Sequence, residues 1–507
     1  MQPGNVPGSA QNELAAAYRL AEQGAFAEAE AACRRALAAA AGRNPDAWTA
    51  LGVVLRQQGR AQESEEAYRQ ALQVAPGYVP AHHNLGALLS QLERSEEALV
   101  SLERARTLGL NAPQLHINRG RTLAQLYRLE DAERAYAQAV ALEPGNATSQ
   151  STLAQLRYMR GDPEFARDLS AAANANTGDV ALQLAHGEIL RRSADLEGAE
   201  TILRRLLTVS GPSPEVRSAL AMVLHESGQL HAAEGEALDA AVARPHDATI
   251  IANLVSIELA CGKPDAAVPF IRTQRQRQPH EQRWIAYEAL AARMLGDPLY
   301  RRLYDYQRLV RVYDLQAPAG WSSMDELNAA LIDALRARHR FAAHPLDQSL
   351  RNGSQTMRNL LAESDAAIRG LLGAFAPPLQ EYCAALGNSA DHPLSARNRG
   401  EFAFRGCWSV ELRRDGFHVN HIHPEGWLSS AYYVAVPEEV GDANLKSGWL
   451  KFGEPNSPVP GVRAELFVQP RPGRLVLFPS YMWHGTNAIH GDQPRLTVAF
   501  DAIPRSR

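Results

Sequence analysis

Small and apolar residues in the first half of the chain recur with a period of 34 residues. Gly52, Gly86 and Gly120 mark this period. Tyr68 and Tyr136 follow the first and the third of these glycines at the same distance. A fixed period of this length is typical of stacked helix-turn-helix repeats, in which small residues stand where two helices cross closely. Weaker copies flank these three, and we count about eight repeats over residues 13–280.

This pattern resembles the tetratricopeptide repeat, because Pro76 and Pro144 also stand where the second helix of a repeat would end. The resemblance predicts an all-α solenoid over residues 13–296 after a flexible N-terminus of residues 1–12, with a last helix pair near 282–295. One repeat cannot bury its own apolar face, so stability comes from stacking on neighbours. The groove of such a stack typically holds a protein or peptide, and we expect a partner of this kind.

Residues 297–319 are predicted to connect the array to a second domain. The segment 299–306 is aromatic and basic, and we expect it to attach the array to that domain. A capped helix should then start at Ser322–Glu326 and run through Leu335. A further helix is predicted over residues 365–386.

From about Glu401 the pattern changes to short apolar runs separated by glycine and proline. Such runs are typical of strands, and many of them within about a hundred residues favour a β-sandwich or barrel. The predicted strands are 401–413, 417–423, 428–436, 448–452, 464–468, 474–478 and 495–501. The fold class is therefore a multidomain α + β protein, with a helical solenoid followed by a jelly roll that helices precede.

Composition excludes several classes of function. The chain has 507 residues, a formal net charge of −4 and 21% charged residues, which argues against a generally basic nucleic-acid binder. It contains neither an apolar run of membrane-spanning length nor a secretory signal at its start. The four cysteines form no CxxC motif, as in a reduced protein. We therefore expect a cytoplasmic protein that binds neither membrane nor nucleic acid.

Candidate chemistry lies in two stretches of the second domain. His421 and His423 are two residues apart, and on a strand such residues point to the same side. His484 follows about sixty residues later, directly after the apolar run 474–478, and Arg495 begins the next predicted strand. The three histidines predict a metal site, and the later arginine is expected to hold an anionic cosubstrate beside it.

These residues also carry a family resemblance. The stretches His421-Ile-His-Pro, 428–434, 473–480, Trp483-His484 and Arg495-Leu-Thr-Val resemble the double-stranded β-helix of the 2-oxoglutarate- and Fe(II)-dependent oxygenases, over residues 320–507. The stretch 347–356 is typical of members that are fused to tetratricopeptide repeats.

The resemblance implies a dioxygenase that uses Fe(II), 2-oxoglutarate and O2. Its metal ligands would be His421, His423 and His484. Arg495 would hold the far carboxylate of 2-oxoglutarate, because a guanidinium can donate two hydrogen bonds to one carboxylate. Thr497, on the same strand face as Arg495, and Tyr433 could bind the same carboxylate.

His423 departs from the family pattern, because the usual metal triad has two histidines and one carboxylate. Three neutral imidazoles also suit Zn(II). Glu425 or Asp415 could supply an acid, although neither has the right spacing. Two alternatives to an active oxygenase therefore remain: a non-catalytic repeat scaffold with a vestigial oxygenase fold, and a cupin-like enzyme with a histidine-only metal site.

Other polar and aromatic residues near these motifs have weaker assignments. His418 has the wrong parity for a ligand and is expected beside the site or on the surface, and His490 is expected on the surface. Arg351 and Gln355 could line a substrate entrance. The tryptophans of the domain are expected to pack or to form the pocket wall; they are Trp408, Trp427 and Trp483.

Overall fold

The computed structural model describes residues 7–505, and its first sixteen helices form eight successive pairs. They are α1 (Pro7–Glu22), α2 (Phe26–Ala39), α3 (Pro45–Gln57), α4 (Ala61–Val74), α5 (Val79–Gln91), α6 (Ser95–Thr107), α7 (Pro113–Gln125), α8 (Leu129–Leu142), α9 (Ala147–Met159), α10 (Arg167–Ala175), α11 (Val180–Arg192), α12 (Leu196–Ser210), α13 (Pro214–Glu226), α14 (Leu230–Ala243), α15 (Ala248–Ala260) and α16 (Pro264–Arg277). The predicted helical array is confirmed. The predicted flexible N-terminus lies partly outside the described residues, and α1 already begins at Pro7.

The glycines of the 34-residue period stand where the two helices of a repeat touch. A Cβ atom added to Gly52 would lie 2.5 Å from the ring of Tyr68, and one added to Gly120 would lie 2.5 Å from the ring of Tyr136. Packed carbon atoms sit about 3.5–4.0 Å apart, so neither site has room for a side chain. The Gly–Tyr spacing in the sequence therefore records one helix crossing that is used again two repeats later, with Leu102 against Gly86 in the repeat between.

Six further helices lead from the array into the second domain. They are α17 (Gln282–Leu295), α18 (Leu299–Leu303), α19 (Tyr306–Leu309), α20 (Met324–Arg336), α21 (Ala366–Ala374) and α22 (Ala376–Leu386). Ser323 caps α20 by accepting the backbone N–H of Glu326, close to the predicted start. The single helix predicted over 365–386 is wrong. It divides at Phe375, because proline has no N–H to donate within a helix and two prolines follow there.

Nine strands of the described residues form two antiparallel sheets. The strands are β1 (Arg311–Asp314), β2 (Leu350–Gln355), β3 (Phe402–His418), β4 (Leu428–Ala435), β5 (Leu450–Phe452), β6 (Leu466–Val468), β7 (Arg474–Pro479), β8 (His484–Thr486) and β9 (Arg495–Pro504). One sheet has the order β1-β7-β4-β9-β3-β2, and the other has the order β6-β5-β8. Two sheets of antiparallel strands confirm the predicted jelly-roll class.

Three strands escaped the sequence pattern, for local reasons. β1 reads Arg-Val-Tyr-Asp and β8 reads His-Gly-Thr, so neither contains a distinct apolar run. β2 reads Leu-Arg-Asn-Gly-Ser-Gln and is mostly polar. Its pairing with β3 is irregular between Arg351 and Gly353, and Asn352 has a positive φ of 51°. A Cβ on Gly353 would lie 2.3 Å from the carbonyl oxygen of Glu411, so the two backbones approach closely there.

The internal contacts of the chain separate two compact units, Met1–Ser149 and Gln150–Arg507. The C-terminal unit holds the later repeats together with both sheets. One hydrophobic core runs from α12 through α17 into the strands, from Ala199 to Ala502. The domain boundaries inferred from the sequence, at 13–296, 297–319 and 320–507, stay predictions.

The aromatic segment 299–306 joins α17 to the sheets, as predicted. Tyr300 donates a hydrogen bond to the carboxylate of Glu465. Tyr304 accepts the backbone N–H of Trp483 at 2.9 Å, and Tyr481 donates its hydroxyl to the carbonyl of Leu303 at 2.7 Å. These bonds tie the end of the array directly to the residues that precede His484.

Two further features concern membrane-spanning helices and the pairing of the cysteines. Among the described residues, none of the helices has the length and apolar character needed to cross a membrane. All four cysteines are unpaired. The cytoplasmic location stays a prediction.

Candidate metal centre

Three histidines converge at one end of the small sheet. Each of His421, His423 and His484 offers a ring nitrogen, and these atoms lie within 4.8 Å of one another. The Nε2 atoms of His421 and His423 are 3.2 Å apart. No other group of three His, Cys, Asp or Glu side chains within residues 7–505 converges in this way. The structure therefore brings together the three residues that the sequence proposed as ligands.

The backbone reaches this arrangement differently from the prediction. His421 and His484 form an isolated antiparallel bridge, with N–H to carbonyl distances of 2.8 and 3.0 Å. His423 lies beyond any strand, and its N–H donates to the carbonyl of Ser480 at 3.0 Å. The predicted strand over 417–423 is therefore wrong, because β3 ends at His418. The residues after His418 make backbone hydrogen bonds to Ser349, His484 and Ser480 in turn, so they do not pair continuously with one strand.

Hydrogen bonds to the backbone determine which ring nitrogen is unprotonated in His421 and in His484. Nδ1 of His421 lies 2.9 Å from the carbonyl of Val419, and Nδ1 of His484 lies 2.9 Å from the carbonyl of Met482. A carbonyl oxygen only accepts, so Nδ1 carries the proton in both rings. Nε2 is then the unprotonated nitrogen that a metal ion can bind.

Burial keeps these imidazoles neutral. Burial, with the neighbouring His423, lowers the pKa of His421 to about 3. Burial, with the neighbouring His421, holds the pKa of His484 well below its usual value. Metal ligands must be deprotonated, and these two histidines meet that condition at neutral pH.

The side chain of His423 has a different support. Its Nδ1 lies 2.6 Å from a carboxylate oxygen of Asp501, near the end of β9. The sequence analysis missed Asp501, although a signal was present. Residues of one parity along β9 all line the same cavity: Arg495, Thr497, Ala499 and Asp501. The period of two that placed Thr497 beside Arg495 continues to Asp501.

The acids that the sequence offered as substitutes lie elsewhere. Glu425 pairs with Arg405, and its side chain is 72% exposed. Asp415 lies 3.2 Å from His490, and its side chain is 62% exposed. Neither belongs to the group of converging ligand atoms.

His418 lies next to the three histidines without joining them. Its ring stacks on that of His421, with centroids 5.8 Å apart. The hydroxyl of Ser349 lies 3.0 Å from His418 Nδ1 and 3.3 Å from His421 Nε2. His418 thus occupies the position beside the site that its parity predicted.

Arg495 is a buried cation without an acidic partner. The residue is only 2% exposed, and Nη1 donates to the carbonyl of Gly448 at 2.6 Å. Its Nε is buried with no hydrogen-bond partner, and no carboxylate of the described residues pairs with this guanidinium. Burial lowers the pKa of Arg495 from its usual value. A buried charge is costly unless it is paired, so this position fits an anionic ligand.

The two residues expected beside Arg495 differ in what they offer. Arg495 lies 5.8 Å from the ring centre of Tyr433, whose hydroxyl is buried without a partner. Burial raises the pKa of Tyr433 to about 12, so the phenol stays a donor. The hydroxyl of Thr497 already donates to the carbonyl of Val410 at 3.3 Å.

One cavity of about 1050 Å³ is lined by the three histidines and by His418, Tyr433, Arg495, Thr497 and Asp501. Trp408 and Trp483 contribute apolar walls, and the predicted entrance residues Arg351 and Gln355 also line the cavity. Trp427 does not line it; this side chain is fully buried and donates to the carbonyl of Leu394. Part of the wall comes from the later repeats, through Arg191, Met222 and Glu226, and part from α17, through Tyr287. The sequence analysis had no means to predict that contribution, because it treated the array and the site separately.

Comparisons with known families match both parts of the chain. The family described as "Putative 2OG-Fe(II) oxygenase" matches residues 406–501, which include the three histidines and Arg495. Tetratricopeptide-repeat families match residues 43–111 and 184–248. No curated protein matches the chain in sequence.

Solved structures with repeats are similar to parts of the chain. Yeast Tom70 has 16% identity and a TM-score of 0.45, over 60% of this chain and 70% of that one. A tetratricopeptide repeat protein from Parabacteroides merdae ATCC 43184 has 19% identity and a TM-score of 0.37, over 49% of this chain and 98% of that one. The family matches show that the chain carries tetratricopeptide repeats and, towards its C-terminal end, a domain of the family described as "Putative 2OG-Fe(II) oxygenase".

Proposed function

We propose that this protein is a 2-oxoglutarate- and Fe(II)-dependent dioxygenase that hydroxylates a substrate held in the cavity. The observation that carries the proposal is the buried, acid-free guanidinium of Arg495 in the same cavity as three converging histidines. The histidines alone would fit several metals. A metal site that shares its cavity with a buried, unpaired arginine fits a cosubstrate with a second carboxylate that does not bind the metal.

The donor set suits the metal that the family implies. Imidazole nitrogens bind divalent iron, and each of the three rings offers one nitrogen within 4.8 Å of the others. All three histidines line the cavity, and three protein ligands would leave further coordination positions for small ligands. Bound there, Fe(II) would supply O2 activation, and 2-oxoglutarate would supply the two further electrons that hydroxylation of a C–H bond requires.

Arg495 and Tyr433 would orient 2-oxoglutarate. The guanidinium keeps Nε available while Nη1 is occupied by Gly448, so it can still grip the far carboxylate. The unpartnered phenol of Tyr433 would donate to the same carboxylate. We assign Thr497 a supporting role, because its hydroxyl already bonds to the backbone of β3.

Aromatic rings would keep water away from the reacting atoms. The ring of Phe478 lies 4.6 Å from that of His484, and the ring of Trp408 lies 5.7 Å from that of His423. In an apolar enclosure of this kind, the electrostatic interaction of Arg495 with a carboxylate is stronger than it is in water.

The substrate would meet the repeats as it enters. Helices α11, α13 and α17 form part of the cavity wall, and Arg191 pairs with Glu226 there. The later repeats also bond directly to the C-terminal domain, because the carbonyl of Met159 accepts the N–H groups of Ala342 and Ala343 at 2.9 and 3.0 Å. We therefore assign recruitment of a protein or peptide partner to the repeats of residues 13–149.

Replacing Arg495 tests the proposal. Arg495→Ala should weaken 2-oxoglutarate binding by about 30-fold to several thousand-fold, since losing one side of a buried charged pair costs roughly 2–5 kcal/mol. Arg495→Lys should fall between, because it keeps the charge but loses the two-pronged geometry. Iron content should hardly change. Calorimetry on Fe(II)-loaded protein under anaerobic conditions measures the affinity.

Arg414→Ala is the matched control, because this exposed arginine pairs with Asp492 outside the cavity. It should bind 2-oxoglutarate as the parent does. Equal affinities for the parent and Arg495→Ala would remove the oxygenase assignment. The histidine-only metal enzyme would then stand if metal still binds, and the non-catalytic scaffold if it does not.

A further inference from the structure

The three proposed ligands differ in what stands behind them. His421 and His484 each donate Nδ1–H to a neutral backbone carbonyl. His423 donates to the carboxylate of Asp501, at 2.6 Å. His423 is also the residue that occupies the place of the usual carboxylate ligand. The one negatively charged support thus lies behind the one ligand that departs from the family pattern.

The carboxylate of Asp501 is held in place from a second direction. Ser429 donates its hydroxyl to the same oxygen at 2.7 Å, and the hydroxyl of Ser480 lies 2.8 Å from that of Ser429. Only 15% of the Asp501 side chain is exposed. Two donors and partial burial give the carboxylate one position and limit the screening of its charge by water.

We propose that Asp501 is a positioning residue that supplies, through His423, the negative charge that a direct carboxylate ligand supplies elsewhere. The inference rests on the proposed function, because it requires a metal on His421, His423 and His484. A hydrogen bond to a carboxylate makes an imidazole a stronger donor to its metal. The site would therefore keep one negative charge beside the metal, one bond further away.

The same contact selects the tautomer of His423. A carboxylate only accepts, so it keeps the proton on Nδ1 and leaves Nε2 for the metal. An asparagine can instead donate from its NH2 group to an unprotonated Nδ1, which is compatible with the opposite tautomer. Asp501→Asn therefore removes the charge and loosens the orientation of the ring with almost no change in shape.

The test measures metal binding and redox potential in the full-length chain. Asp501→Asn should bind Co(II) and, anaerobically, Fe(II) about 10–100-fold more weakly than the parent. The Fe(III)/Fe(II) midpoint potential should become more positive, because a nearby negative charge stabilises Fe(III) more than Fe(II). Asp501→Glu should recover part of the affinity. Asp492→Asn makes the same chemical change at an exposed site and should match the parent.

Each outcome decides the inference. Parental affinity and potential in a folded Asp501→Asn protein would overturn it. Metal retained in His423→Ala but lost in Asp501→Asn would overturn it too, since Asp501 would then be a direct ligand. A parent chain that binds no Co(II) or Fe(II) would overturn the metal site itself, which separates that failure from this one. Should the asparagine variant not fold, parental Co(II) affinity and midpoint potential in Asp501→Ala would overturn the inference.

Discussion

At the scale of single residues, the site depends on side chains whose ordinary charge is suppressed or left unpaired. Burial lowers the pKa values of His421 and His484, Arg495 pairs with no carboxylate of the described residues, and the phenol of Tyr433 has no hydrogen-bond partner. Each of these features costs stability in the protein without ligands. In the proposed function, a metal ion and a dicarboxylate would offset these costs, as is common at functional sites.

His484→Ala is expected to abolish tight metal binding. The variant removes a ligand outright, so the loss should exceed the roughly 10–100-fold that follows from losing a supporting hydrogen bond. Metal analysis after anaerobic Fe(II) loading and desalting measures it. His490→Ala is the control, because this histidine is 69% exposed and pairs with Asp415. Equal metal content in the two variants would contradict the assigned site.

Stability should fall in mild acid, partly because of His339. Its ring nitrogens lie 2.9 Å from the hydroxyl of Ser354 and 3.0 Å from that of Ser409. Burial, with the nearby Arg413, lowers the pKa of His339 to about 4. The unfolded chain takes up this proton near pH 6.5 and the folded chain does not, so its stabilisation is complete above about pH 6.5 and is lost towards pH 4.

The expected slope is up to about 1.4 kcal/mol per pH unit from this one group. Urea unfolding followed by tryptophan fluorescence, at several pH values between 4 and 7, measures it. His339→Gln should be less stable at pH 7 but should lose less stability on acidification. Parallel pH profiles for the parent and the variant would show that His339 contributes no such linkage.

At the scale of elements, glycine fixes how closely the helices of a repeat approach. Gly120→Ala should destabilise the N-terminal unit by about 1–3 kcal/mol, because its methyl group would collide with the ring of Tyr136. Gly145→Ala is the matched control, since nothing lies within 4 Å of its added Cβ. Thermal unfolding by circular dichroism compares the two. Equal melting temperatures would mean that the helices can separate at no cost.

At the scale of the whole molecule, the later repeats and the sheets share one core. α17 buries Trp284, Ile285 and Leu290 within it. Exposing three such side chains costs about 5–9 kcal/mol, comparable with the whole stability of an ordinary domain. Residues 150–507 expressed alone should therefore fold and bind metal, whereas residues 297–507 should not fold stably. Far-UV circular dichroism and metal content test both fragments. A well-folded fragment 297–507 that binds metal would show that the shared core is dispensable.

The sequence by itself determined much of the architecture. The 34-residue period determined the helical repeats, because each repeat encodes the same local crossing through residues such as Gly52 and Tyr68. Short apolar runs separated by glycine and proline located six strands of the C-terminal domain, from β3 to β7 and β9. The spacing of His421, His423 and His484 pointed to a group that the structure does bring together.

Only the tertiary structure decided how that group is supported. Asp501 reaches His423 from 78 residues away, and Arg191 of the repeats and Tyr287 of α17 both line the cavity. That no carboxylate of residues 7–505 pairs with Arg495 is likewise visible only in the folded chain. Local patterns record the period of a helix or a strand. Which side chains meet depends on the register and packing of elements far apart in the chain, and no local pattern records that.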